Sequence, residues 1–226
     1  MSDRLGHERR IVSRSTTGVI NSILQIVNRS EYALGKYVDL LYAAGYTPWE
    51  HPIPDMAVRN TVNALTPESN VLDVGCGTGV TSHWIAMRGH HVTGIDVSGL
   101  AVKRARRLAS EVAAAGDCQF FRSGILSWRP PSVDQKFDLI VDVGCFVGIT
   151  TYEKPIYAFR VSQLLASNGR YLVFIFGPQK VRGAYVGIDP DAAEALFSGF
   201  GFVCAERSEG DRGELRATWI TFTRDV

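Results

Sequence analysis

The chain has 226 residues, 46% of them hydrophobic, enough for one large domain or one domain with a small attachment. Its 24 basic and 23 acidic side chains leave a formal net charge of +1, so no bulk electrostatic drive points to nucleic acid or an anionic membrane. No apolar run nears the ~20 residues of a membrane span.

The N-terminus "MSDRLGHERR" is polar, has no signal-type apolar region, and is expected to fray to about residue 13. The four cysteines, Cys76, Cys118, Cys145 and Cys204, form no CxxC pair, and a reduced cytoplasmic protein is expected. From Thr17 to Ala44 apolar residues recur at helical spacing, the later ones being Leu34, Tyr37, Val38 and Leu41. Two helices, or one broken near Arg29–Ser30, are predicted. "GYTPWEHPIPD" follows, with Pro48, Pro52 and Pro54 excluding a regular helix. A helix from Met56 to Leu65 leads into the rest.

Strands and helices then alternate. Val71–Val74 reads as a strand, Val80–Arg88 as a helix stopped by Gly89, and "HVTGIDV" (91–97) as a strand. Ser98 is a good N-cap for a helix to about Ala115. Strands are expected at 119–122, 137–143 and 170–176, with a helix from Lys154 to Ala166. Pro190 opens a last helix ending near Gly199, followed by strands near 202–206 and 215–222, close enough to pair as an antiparallel edge hairpin. The pattern predicts an α/β fold: a doubly wound, mostly parallel, seven-stranded Rossmann-like sheet. Residues 1–59 are expected to form an N-terminal helical cap on a core of residues 60–226.

"VLDVGCGTGV" (71–80) carries glycine at every second position after the first strand, where sheets of this kind bind ligands. The dinucleotide pattern G-x-G-x-x-G fails: its third position falls on Val80 or Ser82, depending on the starting glycine. Asp73 would be badly placed beside two phosphates and suits a cationic ligand. A nicotinamide dehydrogenase is therefore disfavoured.

"VLDVGCGTG" followed by "HVTGIDVS" strongly resembles the class I S-adenosylmethionine-dependent methyltransferases over about residues 70–176. "TPWEHPIP" and the late "ATWITFTR" look like the small-molecule branch that includes thiopurine, halide/thiol and tellurite methyltransferases. The resemblance implies S-adenosyl-L-methionine as methyl donor, S-adenosyl-L-homocysteine as product and a small-molecule acceptor attacked through O, N, S or C. It assigns to the cofactor site Trp49, Asp73, Gly75, Cys76, Gly77, Gly79, Asp96, Val97, Ile125 and Asp142. Gly75, Gly77 and Gly79 would turn around the methionine half, Asp73 would favour its amino group, Asp96 would accept from the ribose hydroxyls and Val97 would pack on adenine. For Asp73 a loop-bracing hydrogen bond is the alternative reading, and for Asp96 an N-cap. The chain departs from the family after the third strand, where Ser123, Gly124 and Ile125 offer no carboxylate to read adenine.

After the fourth strand "DVGCF" (142–146) lacks the N/D-P-P-Y/F of amino methyltransferases, and no carboxylate cluster suggests Mg²⁺. His90 and His91 read as structural, Cys145 as a small hydrophobe, and "KRARRL" (103–108) as a solvated helix face without nucleic-acid character. In-line methyl transfer needs a general base only when the acceptor arrives protonated. His51 and Asp142 are the titratable catalytic candidates, with a surface-loop histidine and a strand-end cap as alternatives. Trp49 would lie against the cofactor or plug the space between helices and sheet. Tyr32, Tyr37 and Tyr42 are expected to wall an apolar acceptor pocket. A monomer or homodimer acting without metal, nucleic acid or membrane is expected. A cyclase or isomerase that uses the cofactor's charge without transferring methyl is the alternative activity.

Overall fold

The computed structural model describes residues 31–181, 184–212 and 215–224. The frayed start and the first predicted helix lie outside them. The second predicted helix is α1, Glu31–Ala43. After the Pro-rich segment come α2 (Met56–Asn63), β1 (Asn70–Val74), α3 (Val80–Ala86), β2 (His91–Asp96), α4 (Gly99–Glu111) and β3 (Asp117–Arg122). The second half holds β4 (Phe137–Val143), α5 (Cys145–Gly148), α6 (Lys154–Leu164) and β5 (Leu165–Phe176). It ends with β6 (Gln179–Val181), β7 (Ala184–Val186), α7 (Pro190–Ser198), β8 (Phe202–Arg212) and β9 (Leu215–Arg224).

Seven strands form one sheet in the order β3-β2-β1-β4-β5-β9-β8. The first five pair in parallel, and β9 runs antiparallel to both β5 and β8. The expected mostly parallel sheet with an antiparallel edge is what forms. β1 lies next to the point where the strand order reverses, between β2 and β4. Ligands bind at such a point, beyond the carboxyl ends of the strands.

Alternation along the central strands divides the core between two faces. Leu72, Ile140 and Tyr171 pack on one face with Phe146, Tyr157 and Val161 of α5 and α6. Val71, Leu139 and Leu172 pack on the other with Val58, Val62 and Ile85 of α2 and α3. Residues buried on both faces give the continuous apolar runs by which such strands are read. Because Val58 and Val62 of α2 belong to this core, the expected division at 59/60 falls inside a helix, and we bound the cap at Asp55.

Caps fix several helix starts. Ser98 Oγ accepts from Ala101 N at 3.0 Å, as its position predicts, and Asp189 caps α7 ahead of Pro190. β5 begins five residues earlier than expected: Leu165 pairs with Phe137 before a register shift, and regular pairing resumes at Arg170 and Leu139. The small antiparallel pair β6–β7 was not anticipated.

α1 docks through a face different from the predicted apolar one. Glu31, Gly35, Asp39 and Tyr42 follow one another at four, four and three residues, and so share one side of the helix. Glu31 accepts from Leu126 N (3.0 Å) and from the Ser127 hydroxyl. Asp39 accepts from Ser98 Oγ (2.6 Å) and Leu100 N (2.9 Å), and Arg104 donates to Tyr42 O (3.1 Å). Leu34, Tyr37, Val38 and Leu41 are only half-buried. At Gly35 the helix backbone rides on Val97: an added Cβ would sit 2.3 Å from the Val97 carbonyl oxygen. That atom is backbone and cannot yield. Gly35→Ala should therefore undock α1 while the sheet stays folded. Hydrogen exchange should speed by about tenfold or more at residues 31–43, with protection of β1, β4 and β5 unchanged. Unaltered exchange in α1 would show that the helix tolerates the methyl and is not held through this contact.

Candidate active site at the carboxyl ends of the central strands

β1 runs into a turn whose backbone is left-handed at three glycines: φ is 73° at Gly75, 54° at Gly77 and 82° at Gly79. Residues with a Cβ rarely adopt these values. Gly75 N and Cys76 N both donate to Ile95 O, at 2.8 and 3.0 Å, and tie the turn to the end of β2. Asp73 lies beneath it, only 3% exposed, and accepts the Ser82 hydroxyl at 2.6 Å. This is the bracing geometry foreseen as the alternative reading of Asp73.

Asp96 closes β2. One carboxylate oxygen accepts from Gly77 N at 3.0 Å and the other from Ser98 N at 2.7 Å. The side-chain cap of α4 is Ser98, so Asp96 is not its N-cap. A carboxylate offers about four acceptor positions, so two remain here. Val97 is half-buried beneath α1, and Ile125 is buried in the first core cluster. The turn after β3, which has no carboxylate of its own, receives one from the cap: the Glu31 side chain lies against Gly124.

Asp142, at the end of β4, is fully buried. It accepts from Cys145 N (2.6 Å), Phe146 N (2.9 Å) and the Tyr157 hydroxyl, and Tyr171 donates to that hydroxyl at 3.3 Å. It is a strand-end cap that sets the short helix α5. α5 brings Cys145 over the glycine turn, where a Cβ on Gly75 would lie 2.1 Å from its Sγ. Burial pushes the Cys145 thiol well above its ordinary range, which removes thiolate character. Cys76 is buried and similarly raised.

The cap reaches the same turn. Trp49 is 37% exposed, and its Nε1 donates to Tyr42 Oη at 3.1 Å, with the rings edge to face at 5.9 Å. Its N–H is thus engaged within the cap, leaving the indole face. Glu50, which sequence reasoning passed over, places Oε1 3.0 Å from Thr78 N and 3.3 Å from Tyr42 Oη. His51 is exposed on the loop. Tyr32 is 68% exposed, Tyr42 is buried under Trp49, and the Tyr37 hydroxyl is buried without a partner among the described residues. The structure does not gather these three tyrosines into one wall. Among the described residues no three His, Cys, Asp or Glu side chains are grouped to hold a metal ion.

Burial, reinforced by neighbouring carboxylates, raises Asp73 to about 6, and burial likewise raises Asp96 and Asp142 to about 6. The unfolded value is about 3.9, so the folded protein holds these protons more tightly. Each group thus costs stability as pH climbs from about 4 to about 6, and the full cost persists above that. Asp73→Asn keeps an acceptor for Ser82 and removes the charge. In urea titrations it should be more stable than the parent at pH 7, by about 1–3 kcal/mol, with the gain shrinking toward pH 4. A less stable variant at pH 7 would show that the ionised carboxylate is needed to hold the turn.

Residues 71–169 match the family model of a methyltransferase domain. Probable thiol methyltransferase 2 of Arabidopsis thaliana is 31% identical over 136 residues, 60% of this chain and 59% of that protein. Thiocyanate methyltransferase 1 of Brassica oleracea is 27% identical over 133 residues, 58% of each. The chain thus spans less than two thirds of the length of these relatives. In fold it matches magnesium protoporphyrin IX methyltransferase of Synechocystis PCC 6803, crystallised with S-adenosylmethionine, at a TM-score of 0.70 and 17% identity, covering 87% of this chain and 98% of that one. It matches the cyclase SpnF at 0.71 and 17%, covering 87% and 97%. Residues 71–169, from the glycine turn into β5, are thus similar to a methyltransferase domain, and the likeness to the two solved structures is one of fold.

Proposed function

We propose that the protein transfers the methyl group of S-adenosyl-L-methionine to a small-molecule acceptor and releases S-adenosyl-L-homocysteine. The supporting observation is the Asp96 carboxylate: it is held by Gly77 N and Ser98 N, and two acceptor positions remain for a pair of ribose hydroxyls. Beside it, the turn is left-handed at Gly75, Gly77 and Gly79, and the space a Cβ would take there is filled by Cys145, by Tyr42 and Glu50, and by Ala105 and Phe120. Held by Asp96 and the glycine turn, the cofactor would supply a sulfonium methyl carbon to the acceptor's lone pair, the carbon–sulfur pair passing to sulfur.

The chain's own work is then to hold, align and exclude water. Asp96 and the glycine turn hold, the Cys145 side of the turn narrows the approach, and residues 31–55 cover it. Asp142 is closed in by three donors and is a poor base. His51 is exposed, with no described partner to orient it. This favours an acceptor that ionises without an enzymic base. Thiols do so near neutral pH, and the names of the thiol and thiocyanate relatives point the same way. The setting we infer is cytosolic. All four cysteines are free, and no described helix is long and apolar enough to cross a membrane.

Calorimetry should detect binding of both S-adenosylmethionine and S-adenosylhomocysteine. Asp96→Ala should weaken both by about tenfold to a hundredfold, the range for a hydrogen bond to a charged group. Affinity of the parent for the cationic donor should fall as pH drops through about 6, where Asp96 gains its proton. Unchanged affinity in Asp96→Ala would remove this carboxylate from the site. Demethylated product should accumulate faster with small thiols than with phenols of matched size. Binding without turnover on any acceptor would favour the cyclase-like alternative, an activity this fold also hosts.

A further inference from the structure

The glycine turn meets two carboxylates on opposite sides. Asp73 lies beneath, shut in by the Ser82 hydroxyl. Glu50 comes from the cap and is only half-buried. Its Oε1 accepts from Thr78 N at 3.0 Å and from Tyr42 Oη at 3.3 Å, and Tyr42 Oη in turn accepts Trp49 Nε1–H at 3.1 Å. A Cβ on Gly77 would lie 3.2 Å from Glu50 Oε1, so the carboxylate stands directly over the part of the turn that must stay bare. One oxygen is thus oriented by two donors, while Oε2 accepts no hydrogen bond and neither oxygen meets a Lys, Arg or His among the described residues.

Gly77 N donates to Asp96, so a ligand whose ribose sat on Asp96 would lie next to Gly77–Thr78, within reach of Glu50. In an adenosyl amino acid that half ends in an ammonium and a carboxylate. A carboxylate would be repelled by Glu50; an ammonium would supply the cation that Glu50 lacks. We propose that Glu50 is the cap's ligand for the ammonium group of the cofactor's amino-acid half. This rests on the methyltransferase reading of the same site. It also makes the cap selective: Trp49, Tyr42 and Glu50 form one hydrogen-bonded chain, so a ligand with an amino group fastens the whole cap, and a bare nucleoside does not.

The test compares three probes on the full chain by calorimetry: S-adenosylmethionine, S-adenosylhomocysteine and 5′-methylthioadenosine, which lacks the amino-acid group. Glu50→Gln keeps an acceptor for Thr78 N and loses only the charge. It should weaken the first two by about tenfold or more and change the third by less than about twofold. Glu50→Asp, which keeps the charge, should regain part of the lost affinity. Unchanged affinity for all three in Glu50→Gln would reduce Glu50 to a latch on Thr78. Tighter binding would make it a plug that competes with the ligand. Equal loss on all three would mean a general effect on the cap. Each of these overturns the assignment. A parent protein that binds none of the probes sinks the methyltransferase reading itself, and Glu50's role with it, and so is distinguishable from failure of the assignment alone.

Discussion

Three carboxylates at one end of the sheet govern the local structure around them. Asp73, Asp96 and Asp142 lie at the carboxyl ends of β1, β2 and β4, each last or next to last in its strand, and among the described residues none of them forms an ion pair with a cation. Buried charge without a counter-ion is costly, and here it is offset only by aimed N–H and O–H groups. Gly77 N turns toward Asp96 because φ is positive there, and Cys145 N and Phe146 N reach Asp142 because Gly144 bends the chain at φ 100°. Ser82 and Tyr157 are spent on the same task from α3 and α6. The glycine turn, the short helix α5 and the first turn of α3 are therefore parts of one solution to a charge problem.

What the sequence made legible follows from this. The strands show as apolar runs because both sheet faces are covered, and the glycine turn shows because its backbone admits no Cβ. Both are local signals. The edge pair β8–β9 was readable from its short connection. β6 and β7, of three residues each, carry no period long enough to read. The early start of β5 depends on a register shift against β4, which is a tertiary fact. Asp142 illustrates a different limit. Its position at a strand end fits a cap, but the decisive partner, Tyr157, comes from a helix whose packing only the fold reveals.

The cap was legible as helix and illegible as a docking surface. Periodicity weights apolar residues, and it selected Leu34, Tyr37, Val38 and Leu41. The face that docks is Glu31–Gly35–Asp39–Tyr42, which binds through acceptors and one missing Cβ. A helix that seats itself on loop amides and hydroxyls leaves no hydrophobic stripe to find. The i, i+4, i+8 spacing of two acids around a glycine was the signal available. The three contacts fall on the loops after β2 and β3 and on α4, so the cap is fastened to the segments expected to frame the adenosine part of a ligand.

Charge also bears on the exchange of product for donor under the proposed function. A field set by Asp73, Asp96, Asp142 and Glu50 favours a ligand with net positive charge over a neutral one. The methyl donor carries a sulfonium and its product does not, while ribose and ammonium are common to both. Contacts to the shared groups therefore hold donor and product alike, and only the field distinguishes them. Its strength depends on how much of the negative charge is shielded by the donors already aimed at it. Asp73 and Asp142 are satisfied from within and contribute mainly as distant charge, whereas Asp96 and Glu50 keep open acceptor positions. Under that reading the two carboxylates with open positions would bind by contact, and the two behind the turn would bias exchange of product for donor without touching either.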